Sequence, residues 1–259
     1  MGHRPSLTMD FPIMANFRAT LAYDGTDFFG WQTQPHRRTV QETVEKVISS
    51  VTQEKPVRCV ASGRTDTGVH ALGQVIHFHS NTRLALPILR RAIQAMLPED
   101  VSLLDLQSVP DDFDANRHAL RKRYRYVIQD GSVPDLFQRR YSHHCRYSLD
   151  VAAMARAGGC LVGTHDFRCF ETEWPNRASS VRTIYHLTVN RFGDWIWIEV
   201  EANGFLYNMV RAITGTLINI GRGYWPESYM EQLLTSGDRD KAGPTSPARG
   251  LFLVRVTYA

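Results

Sequence analysis

The sequence predicts an α+β fold built from two successive β-α-β-β-α-β units. Three observations support this prediction: apolar residues alternate with a period of two in some segments, they recur at helical spacing in others, and both halves of the 259-residue chain contain these segments in the same order. The units are predicted to join near residue 120. We accordingly divide the chain into an N-terminal tail at 1–15, an N-terminal α/β subdomain at 16–115 and a C-terminal α/β subdomain at 116–259.

The first half begins with a strand and a helix. Apolar residues alternate from Phe17 to Tyr23, which predicts a strand, and they recur at helical spacing from Val40 to Val51. Thr39 and Glu42 fit the capping-box pattern, so we expect the Thr39 side chain to cap this helix. The other elements predicted in this half are strands at 57–61 and from Gln74, a helix at 86–97 and a strand at 101–106.

The second half repeats this order of elements. Tyr124, Tyr126 and Ile128 alternate on a strand, and two segments around Gly193 form a predicted hairpin. The helices are predicted at 149–161, 205–220 and 226–235, the hairpin strands at 181–190 and 194–202, and the closing strand at 251–258. Because the two halves are only weakly similar in sequence, the repeat is inferred from the order of elements alone.

The composition indicates an ordinary globular protein. No apolar run approaches the length of a membrane span, and the N-terminus lacks the apolar core of a secretory signal. Met14 is an alternative translation start just before the first strand. Cys59, Cys145, Cys160 and Cys169 form no C-x-x-C pair, which favours neither a disulfide scaffold nor a zinc ribbon. We therefore expect a cytoplasmic protein without a membrane segment.

Positive charge is concentrated just after the predicted boundary. The net charge is only +4, but five basic residues lie between Asn116 and Arg125, interleaved with Tyr124. Basic side chains neutralise phosphates and aromatic rings stack on bases, so we predict that Arg121, Arg123 and Tyr124 contact a nucleic acid. The alternative is a solvated strand that carries long basic side chains.

Three histidines form a candidate metal site. His77 and His79 lie on one face of a predicted strand, a spacing found in metal sites, and His70 is a candidate third ligand. A metal-assisted hydrolase is therefore an alternative function. Strand histidines are more often hydrogen-bonded structural residues, and Asp66 is the one carboxylate near them in sequence, so we predict no metal site.

The stretch GRTDTG, residues 63–68, forms a glycine-bracketed turn between two predicted strands. Arg64 and Asp66 project from this rigid frame into solvent or into a cleft. An isolated aspartate in such a turn usually just caps the turn. The local pattern therefore leaves both a structural and a chemical role open for Asp66.

Six sequence blocks are similar, in order, to those of the tRNA pseudouridine synthase A family. The blocks are YDGTDFFGWQTQ, GRTDTGVHALGQVIHF, FDANRHALRKRYRYVI, GTHDFRCF, NGFLYNMVRAITGTL and ARGLFLVRVTY, and they cover the chain from about Phe17 to Tyr258. One departure is Asn116, where the family usually has arginine, whereas here Arg117 follows one position later. The long GRTDTGVHA match is specific by itself, and the ordered blocks extend the resemblance over nearly the whole chain.

The resemblance implies an enzyme that converts uridine to pseudouridine at positions 38 to 40 in the anticodon stem-loop of tRNA. The N1–C1′ glycosidic bond breaks, the uracil turns, and C5 joins C1′. Because nothing is added or lost, neither a cofactor nor a metal is expected. The family fold joins both units in one extended, mainly antiparallel sheet with helices on one side and a central catalytic cleft. Family members are homodimers, so we expect a homodimer here.

The resemblance also assigns roles to residues from both halves. Asp66 corresponds to the catalytic aspartate, which attacks the sugar or stabilises the charge that develops on it. Arg211 is its expected partner, which opposes the rise in the Asp66 pKa that burial causes. Tyr124 is expected to stack its ring on the uracil and to assist proton removal with its hydroxyl. Arg64 is expected to hold the flipped-out uridine.

Two other classes of function stay open at this point. A binding-only RNA module would use the basic strand without needing Asp66, and a metal hydrolase would need His70, His77 and His79. In a synthase, substitution of Asp66 should abolish activity while RNA binding survives, which distinguishes it from a binding module. A chelator should leave a synthase unaffected, which distinguishes it from a metal hydrolase.

Overall fold

The computed structural model describes residues 14–172 and 179–259 of the chain. Within these ranges, five α-helices accompany one ten-stranded sheet, which confirms the α+β class. The predicted tail at 1–15 lies outside the described residues except for its last two positions. The division of the chain at residue 116 stays a prediction.

The first half contains the six predicted elements in the predicted order. They are β1 (Ala15–Tyr23), α1 (Val40–Thr52), β2 (Cys59–Ala61), β3 (His70–Ser80), α2 (Leu86–Met96) and β4 (Val101–Val109). β3 begins at His70 rather than Gln74, because Ala71 already pairs with Tyr23 on one side and with Leu253 on the other. The strand therefore starts directly after the GRTDTG turn.

The second half follows the predicted order with two short additional strands. Its elements are β5 (Arg121–Gln129), β6 (His143–His144), α3 (Val151–Gly159), β7 (Gly163–Asp166), β8 (Val181–Phe192), β9 (Trp195–Ala202), α4 (Met209–Gly221), α5 (Tyr229–Ser236) and β10 (Leu251–Thr257). α4 begins later than predicted because Asn208 has a left-handed backbone with a φ of 62°. α5 also begins later, because Pro226 to Tyr229 form a turn before it.

The capping-box prediction for α1 is wrong. Thr39 precedes the helix, but its side chain makes no capping hydrogen bond, and its hydroxyl oxygen is buried without a partner in the described part of the chain. Glu42 pairs with Lys46 at 2.6 Å on the surface instead. By contrast, the Asp150 carboxylate caps α3 by accepting a hydrogen bond from the Ala153 N–H at 2.9 Å.

Both halves have the same strand order within the sheet. The first half has the order β4-β1-β3-β2 and the second has β10-β5-β9-β8. The halves join where β3 and β10 pair in parallel, while the long pairings elsewhere are antiparallel. This joint leaves one strand, β10, between the strand that follows the GRTDTG turn and the basic strand β5.

The sheet has one face covered by helices. On β5, Tyr124, Tyr126 and Ile128 are buried, and the α-helices contact strands of both halves. Arg123, Arg125 and Val127, which alternate with them, are only partly buried, and Arg125 pairs with Glu199 of β9 at 2.7 Å. Because side chains alternate along a strand, the helix-covered face and the charged face carry different residues of the same segment.

The cysteines pack as small apolar residues. All four thiols are free, and Cys59, Cys145 and Cys169 are buried. Burial raises the pKa of each of these three thiols, so they are protonated at neutral pH. In the two described ranges, no helix combines the length and the apolar character needed to cross a bilayer.

Candidate active site

A cleft of about 960 Å³ lies between the two halves. The first half contributes the 63–69 turn and the segment from Phe29 to Gln34, and the second contributes Tyr124 and the segment from Asn203 to Arg211. The cleft therefore combines an acidic residue of the turn with aromatic and basic residues that are distant in sequence. Asp66, Arg64, Tyr124 and Arg211 all line it.

The turn that carries Asp66 is held by hydrogen bonds from three directions. The Trp31 N–H donates to the Thr65 carbonyl at 2.9 Å. The hydroxyls of Tyr23 and Thr65 lie 2.8 Å apart, and the Gln74 amide donates to the Gly63 carbonyl at 2.8 Å. The Tyr23–Thr65 contact is buried and the Gln74–Gly63 hydrogen bond is partly buried, so the backbone around Asp66 is held in place without a ligand.

Gly30 lets the YDGTDFFGW segment approach this turn. Its φ is +78°, and a Cβ at this position would lie 2.7 Å from the Thr65 carbonyl oxygen. Any other residue would be strained and would also push Thr65 away. The glycine of one block thus fits against the turn of another, which explains why both short segments form one wall of the cleft.

Asp66 and Arg211 form an ion pair at the bottom of the cleft. Arg211 Nη1 lies 3.4 Å from Asp66 Oδ2, and the two side chains are 17% and 28% exposed. The guanidinium is oriented by donating to the Ser246 carbonyl at 2.7 Å and to the Asn208 side-chain oxygen at 2.9 Å. Sequence reasoning missed Asn208, although an asparagine three residues before Arg211 is suited to the left-handed conformation found there.

Burial has a larger effect on the pKa of Asp66 than Arg211 has. Desolvation raises the pKa of this carboxyl, and the charge and hydrogen bond of Arg211 oppose the rise without cancelling it. The sequence predicted both opposing effects but not which one prevails. A carboxylate that is poorly hydrated and only partly neutralised is a better nucleophile than one in water.

Tyr124 faces the same cleft from β5. Its ring packs edge-on against Phe205 with centroids 5.0 Å apart, and the residue is 8% exposed. Burial, followed by the proximity of Tyr23 and Asp66, raises the pKa of its hydroxyl, so the phenol is protonated at neutral pH. The ring is therefore available for stacking, and the hydroxyl is available as a donor.

Arg64 extends from the turn into the cleft. Its side chain is exposed, and within the described ranges it has no ion pair or side-chain hydrogen bond that holds it in one position. Thr65, its neighbour, is buried and anchored. Arg64 thus combines an anchored neighbouring backbone with an exposed guanidinium in the cleft.

Arg121 and Arg123 do not reach the cleft. Both lie on the charged face of β5, where Arg123 pairs with Glu201 at 2.9 Å and Arg121 with the same carboxylate at 3.6 Å. The reason is strand alternation, which directs them away from Tyr124. Lys122, which shares the face of Tyr124, lines the cleft instead, and its even spacing from Tyr124 was the signal in the sequence.

Asn116, where the sequence departs from the family pattern, lies at the cleft. Asn116 lines the cleft, whereas the Arg117 side chain is 76% exposed and pairs with Asp114 at 3.2 Å. The arginine displaced by one residue does not replace the family arginine in the cleft wall.

The three candidate metal-ligating histidines serve separate structural roles. The Nδ1 atoms of His70 and His77 accept hydrogen bonds from the backbone N–H groups of Gly25 and Ala115, each at 3.0 Å. His79 Nε2 lies 3.4 Å from the Asp111 carbonyl. No group of three or more potential metal ligands occurs within residues 14–172 and 179–259.

Comparison with known proteins gives a family for this architecture. A sequence profile described as "tRNA pseudouridine synthase" matches residues 19–116 and 159–259. A protein named tRNA pseudouridine synthase A from Thermoanaerobacter sp. (strain X514) is 43% identical over 245 residues, which are 95% of this chain and 100% of the relative. The protein of the same name from Brevibacillus brevis is 42% identical with the same coverage.

Similarity to solved structures is weaker. A chain from a Cbf5-Nop10-Gar1 complex covers 78% of this chain and 54% of its own length at 11% identity, with a TM-score of 0.32. These values are too low to carry an argument. The family profile and the sequence relatives match both halves that form the cleft, and this is sufficient to assign the family. The chain belongs to the tRNA pseudouridine synthase family, whose members are isomerases.

Proposed function

We propose that this protein isomerises uridine to pseudouridine in tRNA, at positions 38 to 40 of the anticodon stem-loop. The observation that carries the proposal is the Asp66 carboxylate, which is partly buried, 3.4 Å from the Arg211 guanidinium, and in one cleft with Tyr124. The names of the relatives support tRNA as the substrate. The stem-loop position follows from the sequence resemblance.

Asp66 acts as the nucleophile in this proposal. One carboxylate oxygen attacks C1′ of the ribose, and the electron pair of the N1–C1′ bond leaves with the uracil. The uracil turns, C5 attacks C1′, and the carboxylate is released unchanged. The proton on C5 is then removed while N1 gains one, so atoms and charges balance without a co-reactant. Charge stabilisation at C1′ by the same carboxylate is the alternative role.

The neighbouring groups suit these steps. Arg211 opposes the rise in the pKa of Asp66 that burial causes and so favours the ionised carboxylate. The Tyr124 ring offers a flat surface for the uracil, and its protonated hydroxyl is close enough to Asp66 for the carboxylate charge to raise the pKa of the phenol.

Arg64→Ala is expected to impair modification of a structured tRNA strongly. The target base is stacked, and flipping it out costs a few kcal/mol, so a side chain that fills the vacated space or contacts a phosphate favours the reactive conformation. We expect roughly 10²-fold slower turnover, equivalent to about 2.7 kcal/mol. Single-turnover assays on tRNA should be compared with Arg83→Ala, another exposed arginine that lies outside the cleft. Wild-type turnover by Arg64→Ala would remove this role.

Release of tritium tests the reaction itself. The protein is incubated with unmodified tRNA tritiated at uridine C5, without added metal or cofactor, because formation of the C5–C1′ bond displaces the label into water. Transcripts with uridine at only one of positions 38, 39 and 40 identify the site. Chelator-sensitive cleavage of the RNA without tritium release would favour the metal-hydrolase alternative, and tRNA binding with neither release nor cleavage would favour a binding module.

The protein is expected to be a cytoplasmic homodimer. This expectation rests on the resemblance and, for the compartment, on the absence of paired cysteine motifs. Light scattering at micromolar concentration should give twice the chain mass of 29.5 kDa. A monomeric mass under these conditions would contradict the proposal of a dimer while leaving the chemistry of the cleft untouched.

A further inference from the structure

Two backbone carbonyls at the start of the catalytic turn depend on side chains for their hydrogen bonds. β2 ends at Ala61, so Ser62 and Gly63 lie beyond the strand. The Gln74 amide donates to the Gly63 carbonyl at 2.8 Å, and Lys122 Nζ donates to the Ser62 carbonyl at 2.5 Å. Because Ser62 is fully buried, loss of a partner for its carbonyl would be costly.

The Lys122 ammonium group occupies space that a side chain at residue 63 would fill. A Cβ on Gly63 would lie 3.2 Å from Lys122 Nζ, and no backbone strain requires glycine at this position, because its φ lies outside the left-handed region. Lys122 also lines the cleft and lies two residues before Tyr124 on the same face of β5. One side chain thus links the turn of Asp66 to the strand of Tyr124.

The surroundings of Lys122 disfavour its charge. Burial is the largest cause and the nearby Arg182 the second, and together they lower the pKa of the amine from 10.5 to about 8. Below about pH 8 Lys122 is charged in both states, and its burial in the folded state destabilises the fold. This destabilisation disappears as pH rises from about 8 to 10.5, where the folded protein releases the proton before the unfolded chain does. At neutral pH the charged amine therefore does not stabilise the fold.

We propose that Lys122 is a positioning residue, which fixes the turn carrying Asp66 against the strand carrying Tyr124 by binding the Ser62 carbonyl. The inference rests on the proposed function. In this role Lys122 touches neither the sugar nor the uracil. It sets the separation between the carboxylate that reacts with C1′ and the ring on which the uracil stacks.

Lys122→Met keeps an unbranched side chain as far as Cε and removes the donor. We expect kcat to fall roughly 10²-fold, the scale of a displacement of about 1 Å in an active site. The Kd for tRNA and its salt dependence should not change. The melting temperature at pH 7 should stay close to that of the wild type, because removal of the disfavoured buried charge offsets the hydrogen bond lost at the Ser62 carbonyl. Lys46→Met, on the surface of α1, is the control.

Two results would overturn the proposal. A weaker Kd with unchanged kcat would show that Lys122 is a phosphate ligand. A lower melting temperature with unchanged kcat would show that it is a structural residue.

Hydrogen exchange tests the link without substrate. Amides of residues 62–68 should exchange faster in Lys122→Met than in the wild type, and at the wild-type rate in Lys46→Met. Equal protection in all three proteins would overturn the proposal. This measurement needs no turnover, so a wild-type protein that released no tritium would refute the proposed function while the link between Lys122 and the turn was still tested.

A double-mutant cycle examines the contact itself. Gly63→Ala should slow turnover and loosen the turn when Lys122 is present, because the new methyl group meets the amine. In a Lys122→Ala background the same substitution should have a much smaller effect. Additive effects on kcat and on exchange of the 62–68 amides would mean that the two residues do not act through each other.

Discussion

Asp66→Asn is expected to abolish tritium release while tRNA binding survives. The amide has nearly the shape of the carboxylate but is a poor nucleophile and cannot neutralise positive charge at C1′. We expect a loss of roughly 10⁴- to 10⁶-fold in kcat, the scale seen when a nucleophile is removed from an active site. Single-turnover assays give the rate, and filter binding or fluorescence titration gives the Kd for tRNA.

Although Asp66→Asn should lose activity, its folded state should be at least as stable as that of the wild type. Burial raises the pKa of Asp66 in the folded protein, so the ionised carboxylate is disfavoured there, and the folded state is destabilised as pH rises through this raised pKa. At neutral pH the neutral amide removes that cost, and the melting temperature of Asp66→Asn should equal or exceed that of the wild type. Asp112→Asn, on an exposed aspartate, is the matched control and should change neither rate nor stability. Substantial activity in Asp66→Asn would exclude both roles proposed for the carboxylate.

Arg211→Gln is expected to slow the reaction most at low pH. The guanidinium lowers the pKa of Asp66 by its charge and its hydrogen bond, and without it burial acts unopposed. A partner of opposite charge at this range is worth roughly 1–3 pKa units, so at pH values below the pKa of the wild-type carboxyl the ionised fraction should fall about 10- to 10³-fold, and by less at higher pH. In the proposed mechanism only the ionised form attacks C1′, so the rate should fall with this fraction.

The pH profile distinguishes this role from simple disruption of the site. Activity is lost as pH falls through the pKa of Asp66, so the acidic limb of the profile should shift to higher pH in Arg211→Gln. The rate ratio of wild type to variant should decrease as pH rises. Arg156→Gln, an exposed arginine on α3 paired with Glu227, is the control. A ratio independent of pH would show that Arg211 contributes geometry or binding but does not set the charge of Asp66.

The local sequence was sufficient to predict the order of the longer elements and the position of the turn at 63–68. Alternation on β1 and β5 and helical spacing in α1 depend only on neighbouring residues, so the strand and helix order could be predicted. The glycine-bracketed turn singled out Asp66 and Arg64, but the resemblance over the whole chain, not the turn itself, implied their chemical roles. The strand face on which Lys122 lies could also be predicted, because residues two positions apart, such as Lys122 and Tyr124, point to the same side of a strand.

Only the tertiary structure decided which of these residues meet. Asp66 and Arg211 are 145 residues apart and come within 3.4 Å because β3 and β10 pair in parallel and join the halves. The same sheet turns Arg121 and Arg123 away from the cleft and brings the Lys122 amine to the Ser62 carbonyl. Whether burial or the guanidinium dominates the pKa of Asp66 also depends on the packing of both halves. Local periodicity determines the direction of a side chain within its own element, but distances and desolvation between elements arise from long-range pairing that no single segment contains.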